Sequence, residues 1–360
     1  MRKYYMDNMR WVTILLVVIF HVFYYYNNIG IVAMFPGAEV YEGQMSFAGV
    51  FQYFVYPWFM LLLFVVSGMG AYYSLKKTDH KTFLKKRAQR ILAPSTLGVL
   101  VFGWIGGYVV YIQTAAPNMP DAVPGFVRWI IIFCCGIGAL WFCHVVFFND
   151  LILVLIRKIT GVLHRDEEAF RNKLVGEWMV IPMYFLLWGG AQILNMPIIT
   201  AYRLGIYLVG FLAGYYLFTS DKFVEALKKH VWIYGALAIV SFGLVIHFGY
   251  GTVYSDIGFL STWYTTAYAW LMVLFVVGLF ARFFDHEYQC TAYFNRLSFG
   301  IYVFHIPVLL VANYFLCRSG LALWGIYIVE FVVAMVVSWG LYELVSRIPV
   351  LRFCILGIHR

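Results

Sequence analysis

Charge is what this chain has least of. Only 12% of its 360 residues are charged, against about 25% in a soluble globular domain, so roughly half of the usual solvated surface is missing. Cysteine is sparse as well. The six cysteines (Cys134, Cys135, Cys143, Cys290, Cys317 and Cys354) form no C-x-x-C pair and no regular disulfide spacing, which excludes a disulfide scaffold. Most fall inside apolar runs and read as small core residues. There is no internal repeat, no low-complexity tract and no soluble domain, which excludes solenoids and disordered linkers. No cleavable leader with small residues precedes a mature domain, so the first helix is expected to stay in the protein. What remains is 63% hydrophobic and 20% aromatic, the composition of an integral membrane protein. The net charge of +9 would suggest a nucleic-acid partner in a soluble protein. Here the basic residues sit in short loops between apolar spans and report topology instead.

Apolar runs of about 17 to 25 residues mark spans. Ten are read: 10–27, 50–74, 93–113, 127–156, 177–192, 201–218, 231–248, 260–283, 294–316 and 321–344. The fold class expected is therefore an all-α polytopic membrane protein of about ten transmembrane helices, forming a single integral-membrane domain over 1–360 without a fused extracytoplasmic domain. Lys and Arg test the count, because cytoplasmic loops are enriched in them. The loop after span two holds Lys76, Lys77, Lys81, Lys85, Lys86, Arg87 and Arg90, and the loop after span four holds Arg157, Lys158, Arg165, Arg171 and Lys173. Lys222, Lys228 and Lys229 follow span six; Arg282 and Arg296 follow span eight. The alternate loops carry Glu39, Glu42, Asp121 and Asp256, with only Arg128, Arg203 and Arg318 nearby. This alternation puts both termini in the cytoplasm.

The first span holds the most informative stripe. Arg10 stands at its mouth and His21 eleven residues further on, about three turns at roughly 3.6 residues per turn, so the two side chains point the same way. Asp7, Ile14 and Val17 share that stripe. At about 1.5 Å per residue, His21 lies roughly 16 Å beyond Arg10, near the middle of a hydrocarbon core about 30 Å thick. An ionisable group at that depth is costly and by default functional. His144 and His305 fall at a similar depth in spans four and nine, and three histidines at one level imply a polar cavity. Ser298, Tyr302 and His305 share a face, as do Trp141, His144 and Phe148. For His144 alone, a buried imidazole satisfied by a neighbouring helix is the competing account. No metal is expected, because no carboxylate or cysteine accompanies the histidines at ligand spacing.

Two further stretches carry candidate chemistry. Lys85-Lys86-Arg87-Ala88-Gln89-Arg90 leads straight into span three, and Arg87 and Arg90, three apart on a helix, can clamp a phosphate or diphosphate. Ordinary positive-inside charge against anionic headgroups is the alternative. Ser67-Gly68 near the end of span two permits close backbone approach by a helix or by a ligand arm. At the last span, Glu343 and Arg347 form an i, i+4 pair that can secure the helix end.

Taken in order, these motifs resemble the membrane-bound acyltransferase 3 family, which includes sugar O-acetyltransferases and the glucan-succinylating protein of osmoregulated periplasmic glucan synthesis. Met6-Asp7-Asn8-Met9-Arg10 with His21 fits that family's Arg-x10-His motif. Phe64-Val65-Val66-Ser67-Gly68 is similar to its Ser-Gly-Phe box, with Met69 in place of the usual Phe, and Arg87-Ala88-Gln89-Arg90 fits its Arg-x-x-Arg. Leu140-Trp141-Phe142, Ser298-Phe299-Gly300-Ile301-Tyr302 with His305, and Glu343 with Arg347 and Pro349 also look like family features. The resemblance spans the whole chain.

The resemblance implies acyl transfer from a cytoplasmic acyl-CoA, acetyl-CoA being the expected co-substrate, to a saccharide hydroxyl reached from the outer side of the cell membrane. No bound cofactor is implied. In that reading His21 is the general base, since imidazole titrates closest to neutral pH, with Asp7 and Arg10 on the same stripe. Lys86, Arg87, Arg90, Ser67 and Gly68 receive the donor. Trp141, His144, Tyr302, His305 and Tyr25 line the cavity on the acceptor side, an aromatic belt being the alternative for Tyr25. Membrane lipid, acyl-CoA and a saccharide are the expected partners, and homo-oligomerisation stays open. The competing class is a transporter or flippase, which also wants ten helices and a midplane polar site, but no inverted repeat is visible and the positive cluster lies on one face only.

Overall fold

The computed structural model describes residues 3–24, 47–112, 116–120, 123–160, 173, 175–196, 201–289 and 291–358. Among them the secondary structure is helical. Among the described residues eight helices are long and apolar enough to cross a membrane: Tyr4–Tyr24 (α1), Phe47–Leu75 (α2), His80–Val110 (α3), Gly138–Thr160, Val231–Gly249, Trp263–Phe283, Thr291–Leu316 and Leu323–Arg347. Gly125–Cys135 (α4) and Leu204–Tyr216 are shorter apolar helices. We number Trp141–Thr160 α5, Val180–Gln192 α6, Leu204–Tyr216 α7, Asp221–Lys229 α8, Val231–Gly249 α9, Trp263–Phe283 α10, Thr291–Leu316 α11, Leu323–Arg347 α12 and Pro349–Leu356 α13. The protein is an all-α, multi-pass membrane protein.

The spans differ from the sequence expectation in several places, the third starting at His80 rather than at 93. The run expected over 127–156 is interrupted: α4 ends at Cys135, Gly138 takes a positive φ of 47°, and α5 begins at Trp141 after a 3-10 turn, Gly138–Leu140. Two glycines within three residues supply the freedom for the break, which uniform hydropathy conceals. Residues 177–192 and 201–218 contract to the 13-residue α6 and α7. At the carboxyl end, Pro349 starts a helix that the sequence reading took for a tail, as proline favours the first helical turn.

The chain divides into two compact units: Met1–Thr13, Gly49–Lys85 and Val145–Thr291 form the first, and Ile14–Ala48, Lys86–His144 and Ala292–Arg360 the second. In the first unit, glycine decides how helices meet. A Cβ on Gly68 would lie 1.9 Å from the Phe211 carbonyl oxygen, and one on Gly214 would lie 2.0 Å from that of Val65. Gly210 likewise faces Leu61, so α2 and α7 cross backbone to backbone through a Gly-x-x-x-Gly face. Neither carbonyl can move aside without breaking its own helix. Gly214→Leu is therefore expected to prevent a monodisperse fold, and Gly214→Ala to cost at least the about 1–3 kcal/mol of ordinary overpacking; the elution profile after heating in detergent checks this. The unit's amino end is tied down by Asn8, whose amide donates to the carbonyls of Phe284 (2.8 Å) and His286 (3.0 Å) and accepts from Thr291 (3.0 Å).

The basic loops carry surface helices. α8 opens with Asp221 and ends with Lys228 and Lys229, charges that complement the helix dipole, and buries Phe223, Val224 and Leu227 on one face. At the start of α3, Asp79 Oδ2 accepts from the Thr82 amide (3.2 Å). Hydrogen bonds from the Thr82 side chain and then its amide hold the Asp79 carboxyl below its ordinary value, and the amide bond caps the helix that carries the basic run. In the second unit α3 crosses α4 through small residues, a Cβ on Gly107 falling 2.1 Å from the Ile132 carbonyl oxygen. α3 also contains two π segments, Ala88–Leu92 and Val99–Gly103.

Candidate active site

Within the second unit, α1 and α11 bring two of the three expected histidines into contact. His21 Nδ1 lies 2.8 Å from the Val17 carbonyl oxygen, one turn back, and 3.4 Å from His305 Nε2. His305 Nδ1 faces the carbonyl oxygens of Tyr302 (2.8 Å) and Ile301 (3.1 Å). Carbonyl oxygens only accept, so both Nδ1 atoms carry hydrogen. His305 Nε2 is then a lone pair, accepting from the His21 Nδ1–H that Val17 also shares. His21 Nε2 remains an unprotonated nitrogen with no protein partner among the described residues. The two rings also differ in access: His305 is fully buried, whereas His21 is half-buried. A helix's own carbonyls thus set both tautomers, and the contact between imidazoles selects which nitrogen stays basic.

Depth follows from the partner. His305 is close to the centre of the 26-residue α11, so the nitrogen of His21 that touches it is at that level. Around the pair, Phe20 meets the His21 ring edge-on at 5.3 Å and Tyr302 lies 6.0 Å from His305. The interrupted helix explains how Tyr302 is held. Its hydroxyl donates to the carbonyl of Ala139, which lies in the turn between α4 and α5. Gly138 at the same break packs on Ile306, and Phe142 meets Tyr302 at 6.0 Å. The Leu140-Trp141-Phe142 motif is thus where the chain turns onto α11. Trp141 is half-buried beside it.

His144 behaves differently. Its Nε2 is 3.3 Å from Thr96 Oγ1 on α3, and it has no hydrogen bond to His21 or His305 among the described residues. The expected trio is a contacting pair plus one histidine that links α5 to α3. Ser298 bonds back to its own helix at Asn295. Tyr25 lies outside the described residues.

The donor-side residues fall in both units. In the second, Lys86 and Arg90 are exposed and Arg87 is half-buried. Arg87 closes the α-helical first part of α3 and Arg90 falls within the π segment. The wider π turn replaces the simple three-residue α spacing, so the two arginines do not share one α-helical face in the way their spacing predicts. The carboxyl end packs on the Arg90 backbone: Gly357, at φ 62°, closes α13 against it. In the first unit Ser67 is half-buried, while Gly68 is occupied by its packing on α7. Gly68 is therefore explained by helix crossing, and Ser67 alone retains the donor expectation. Asp7 and Arg10 are half-buried on the amino-terminal part of α1. Glu343 and Arg347 do pair, at 3.8 Å with Arg347 exposed, an arrangement worth well under about 1 kcal/mol.

Sequence reasoning passed over several buried polar groups inside the spans. Glu330 on α12 accepts from Asn313 on α11 (3.1 Å), and both are fully buried. Asn149 and Asp150 on α5 are fully buried. Arg157, read as a loop charge, donates to His80 Nε2 (3.3 Å) and to the Tyr215 hydroxyl inside the first unit. A carboxylate inside an apolar run was the available signal for Glu330 and Asp150. Among the described residues no group of three His, Cys, Asp or Glu stands together as a metal-ligand set.

Comparison with curated proteins and with solved structures returned no match. The family described as an acyltransferase domain matches residues 3–343, which takes in α1 with its Arg10 and His21, the histidine-bearing α11 and nearly all of α12. An acyltransferase motif set, a basic run at the mouth of one membrane helix and a basic imidazole nitrogen inside another converge on one assignment: the chain belongs to the acyltransferase 3 family of membrane enzymes.

Proposed function

We propose that this acyltransferase moves an acyl group, acetyl in the first instance, from cytoplasmic acyl-CoA to a hydroxyl of a saccharide on the outer side of the cell membrane. The observation that carries the reading is the tautomer of His21. Its Nε2 lone pair takes the proton of the acceptor hydroxyl as that oxygen attacks the thioester carbonyl. The imidazolium formed keeps its Nδ1–H on Val17 and against the His305 lone pair, which spreads the new charge. As the tetrahedral intermediate collapses, the carbon–sulfur bond breaks and the CoA thiolate takes the same proton back, so no net charge is left in the membrane. Direct transfer needs no covalent enzyme intermediate. Lys86, Arg87 and Arg90 hold the nucleotide phosphates at the basic face.

The test is purified protein in detergent with radiolabelled acetyl-CoA and candidate glycans, run beside succinyl-CoA. Label appearing in glycan and CoA released in equal amount support the proposal; label reaching only protein or water opposes it. His305 has a positioning role in this scheme. His305→Phe, which removes the acceptor for the His21 Nδ1–H while keeping a buried ring, is expected to lower kcat about tenfold, one misaligned hydrogen bond's worth at about 1.4 kcal/mol, with the acyl-CoA KM unchanged. His305→Asn should recover part of that loss, because its amide oxygen can accept again.

A further inference from the structure

Three buried side chains, each with a polar atom that has no hydrogen-bond partner among the described residues, are linked through Tyr56 and Tyr254 at one end of the first unit, and the reaction as proposed uses none of them. Arg203, just before α7, is 3% exposed. Its Nη2 donates to the Leu260 carbonyl (3.0 Å), but its Nε has no acceptor. The titratable groups acting on it are the phenols of Tyr207 and Tyr56, and among the described residues no carboxylate pairs with it. Gln52, one turn before Tyr56 on the same face of α2, is fully buried with neither amide atom hydrogen-bonded. Tyr56 in turn meets the ring of Tyr254 at 5.0 Å, and the next residue, Ser255, buries a hydroxyl without a partner. Native interiors satisfy roughly nine in ten such groups or more, so a cluster of exceptions marks a place where something else binds.

The composition of the cluster specifies what binds. A guanidinium taken from water without a counter-ion is strongly unfavourable, and a carboxylate or phosphate is the group its planar donors fit. An amide and a hydroxyl, each able to donate and accept, suit hydroxyl groups. The tyrosine rings give an apolar face with polar edges. Gln52 and Arg203 stand at the ends of α2 and α7 opposite those that lead into the basic loops, the side from which an outer ligand arrives.

We propose that this cluster is a binding site for an anionic sugar, Arg203 taking its carboxylate or phosphate while Gln52 and Ser255 take ring hydroxyls. The proposal rests on the reading that the acceptor is a saccharide and narrows it to an acidic one. The experiment is thermal unfolding of the purified, full-length protein in detergent, at constant ionic strength, with chloride as the reference anion. The probes are glucuronate, glucose 6-phosphate, glucose and inorganic phosphate. A site filled to tens of times its dissociation constant raises the midpoint by about 2 °C or more. That rise is expected with glucuronate or with glucose 6-phosphate, whichever anion the site takes, and not with glucose. Arg203→Gln is expected to remove the rise. Gln52→Leu, which leaves the charge in place, is expected to weaken it at least tenfold in concentration and keeps the test valid if the first variant does not fold. Equal shifts with chloride and all sugars, an effect of inorganic phosphate to which the sugar adds nothing, or shifts unaltered in both variants overturn the proposal. Acetyl transfer assayed on the same preparation separates the two readings. Transfer without an anion-dependent shift removes the acidic-sugar site alone, whereas a shift without transfer supports the site and removes the acylation of a saccharide.

Discussion

Replacing His21 with alanine is expected to lower acyl transfer by about 10²- to 10⁴-fold, the range a positioned general base supplies. The variant deletes the His21 Nε2 lone pair, which no protein group among the described residues occupies; in the partner ring, His305 Nδ1 is committed to the carbonyls of Ile301 and Tyr302 and Nε2 to His21 Nδ1–H. Fold should survive: His21 is half-buried, and α1 keeps Phe23 against Tyr327 at 4.7 Å. Acyl-CoA binding should survive as well, because the phosphates are assigned to Lys86, Arg87 and Arg90. The measurement pairs label transfer with equilibrium binding of radiolabelled acetyl-CoA on one preparation. A variant that transfers at the normal rate takes the proton-accepting role away from His21.

The second large effect concerns the donor. Arg87→Ala combined with Arg90→Ala should raise the apparent KM for acyl-CoA about ten- to a hundredfold. Charge-assisted hydrogen bonds contribute about 1.5–3 kcal/mol each, and solvent around the exposed Arg90 reduces its share. Because these contacts act on ground state and transition state alike, kcat should change little. Raising salt in the unaltered enzyme should imitate part of the effect by screening. An unchanged KM in the double variant assigns the basic run to lipid headgroups instead.

The helices were legible because hydrocarbon demands length. A span needs about 20 apolar residues, and among the described residues every long run is helical, the one over 127–156 in two pieces. The His21–His305 contact was legible in outline, since helical periodicity and depth put both at one level. Which nitrogen stays basic was not, because that depends on carbonyl oxygens one turn away on each helix. The break at Gly136-Ile137-Gly138 was hidden by uniform hydropathy, and only packing against α11 explains it. Arg157 and Arg203 were misjudged for one reason: an arginine at a helix end looks the same in sequence whether it points to water or inward. Gly68 shows the reverse, a motif glycine whose small size is accounted for by α7. Glu330 and Asp150 stood visibly inside apolar runs, but their burial is a property of neighbouring helices that no local pattern encodes.

The two π segments of α3 set a rule for how the chain tolerates changes in length. Each i→i+5 turn stores one residue more than the α-helix around it, so a one-residue deletion between 88 and 92 can be absorbed by rewinding to α geometry without disturbing hydrogen bonding. Because the π turn already takes up the extra residue, the amino-terminal side would keep nearly the same facing relative to Gly103 and Gly107. Lys86 and Arg87 would keep their direction, and the glycine crossing with α4 would stay in place. The same deletion in the regular α-helical part of α3, between 93 and 98, would instead turn the basic end by about 100° against that crossing. Helix α3 therefore carries its spare residue at a defined place, and the aim of its basic end tolerates a lost residue there and not elsewhere.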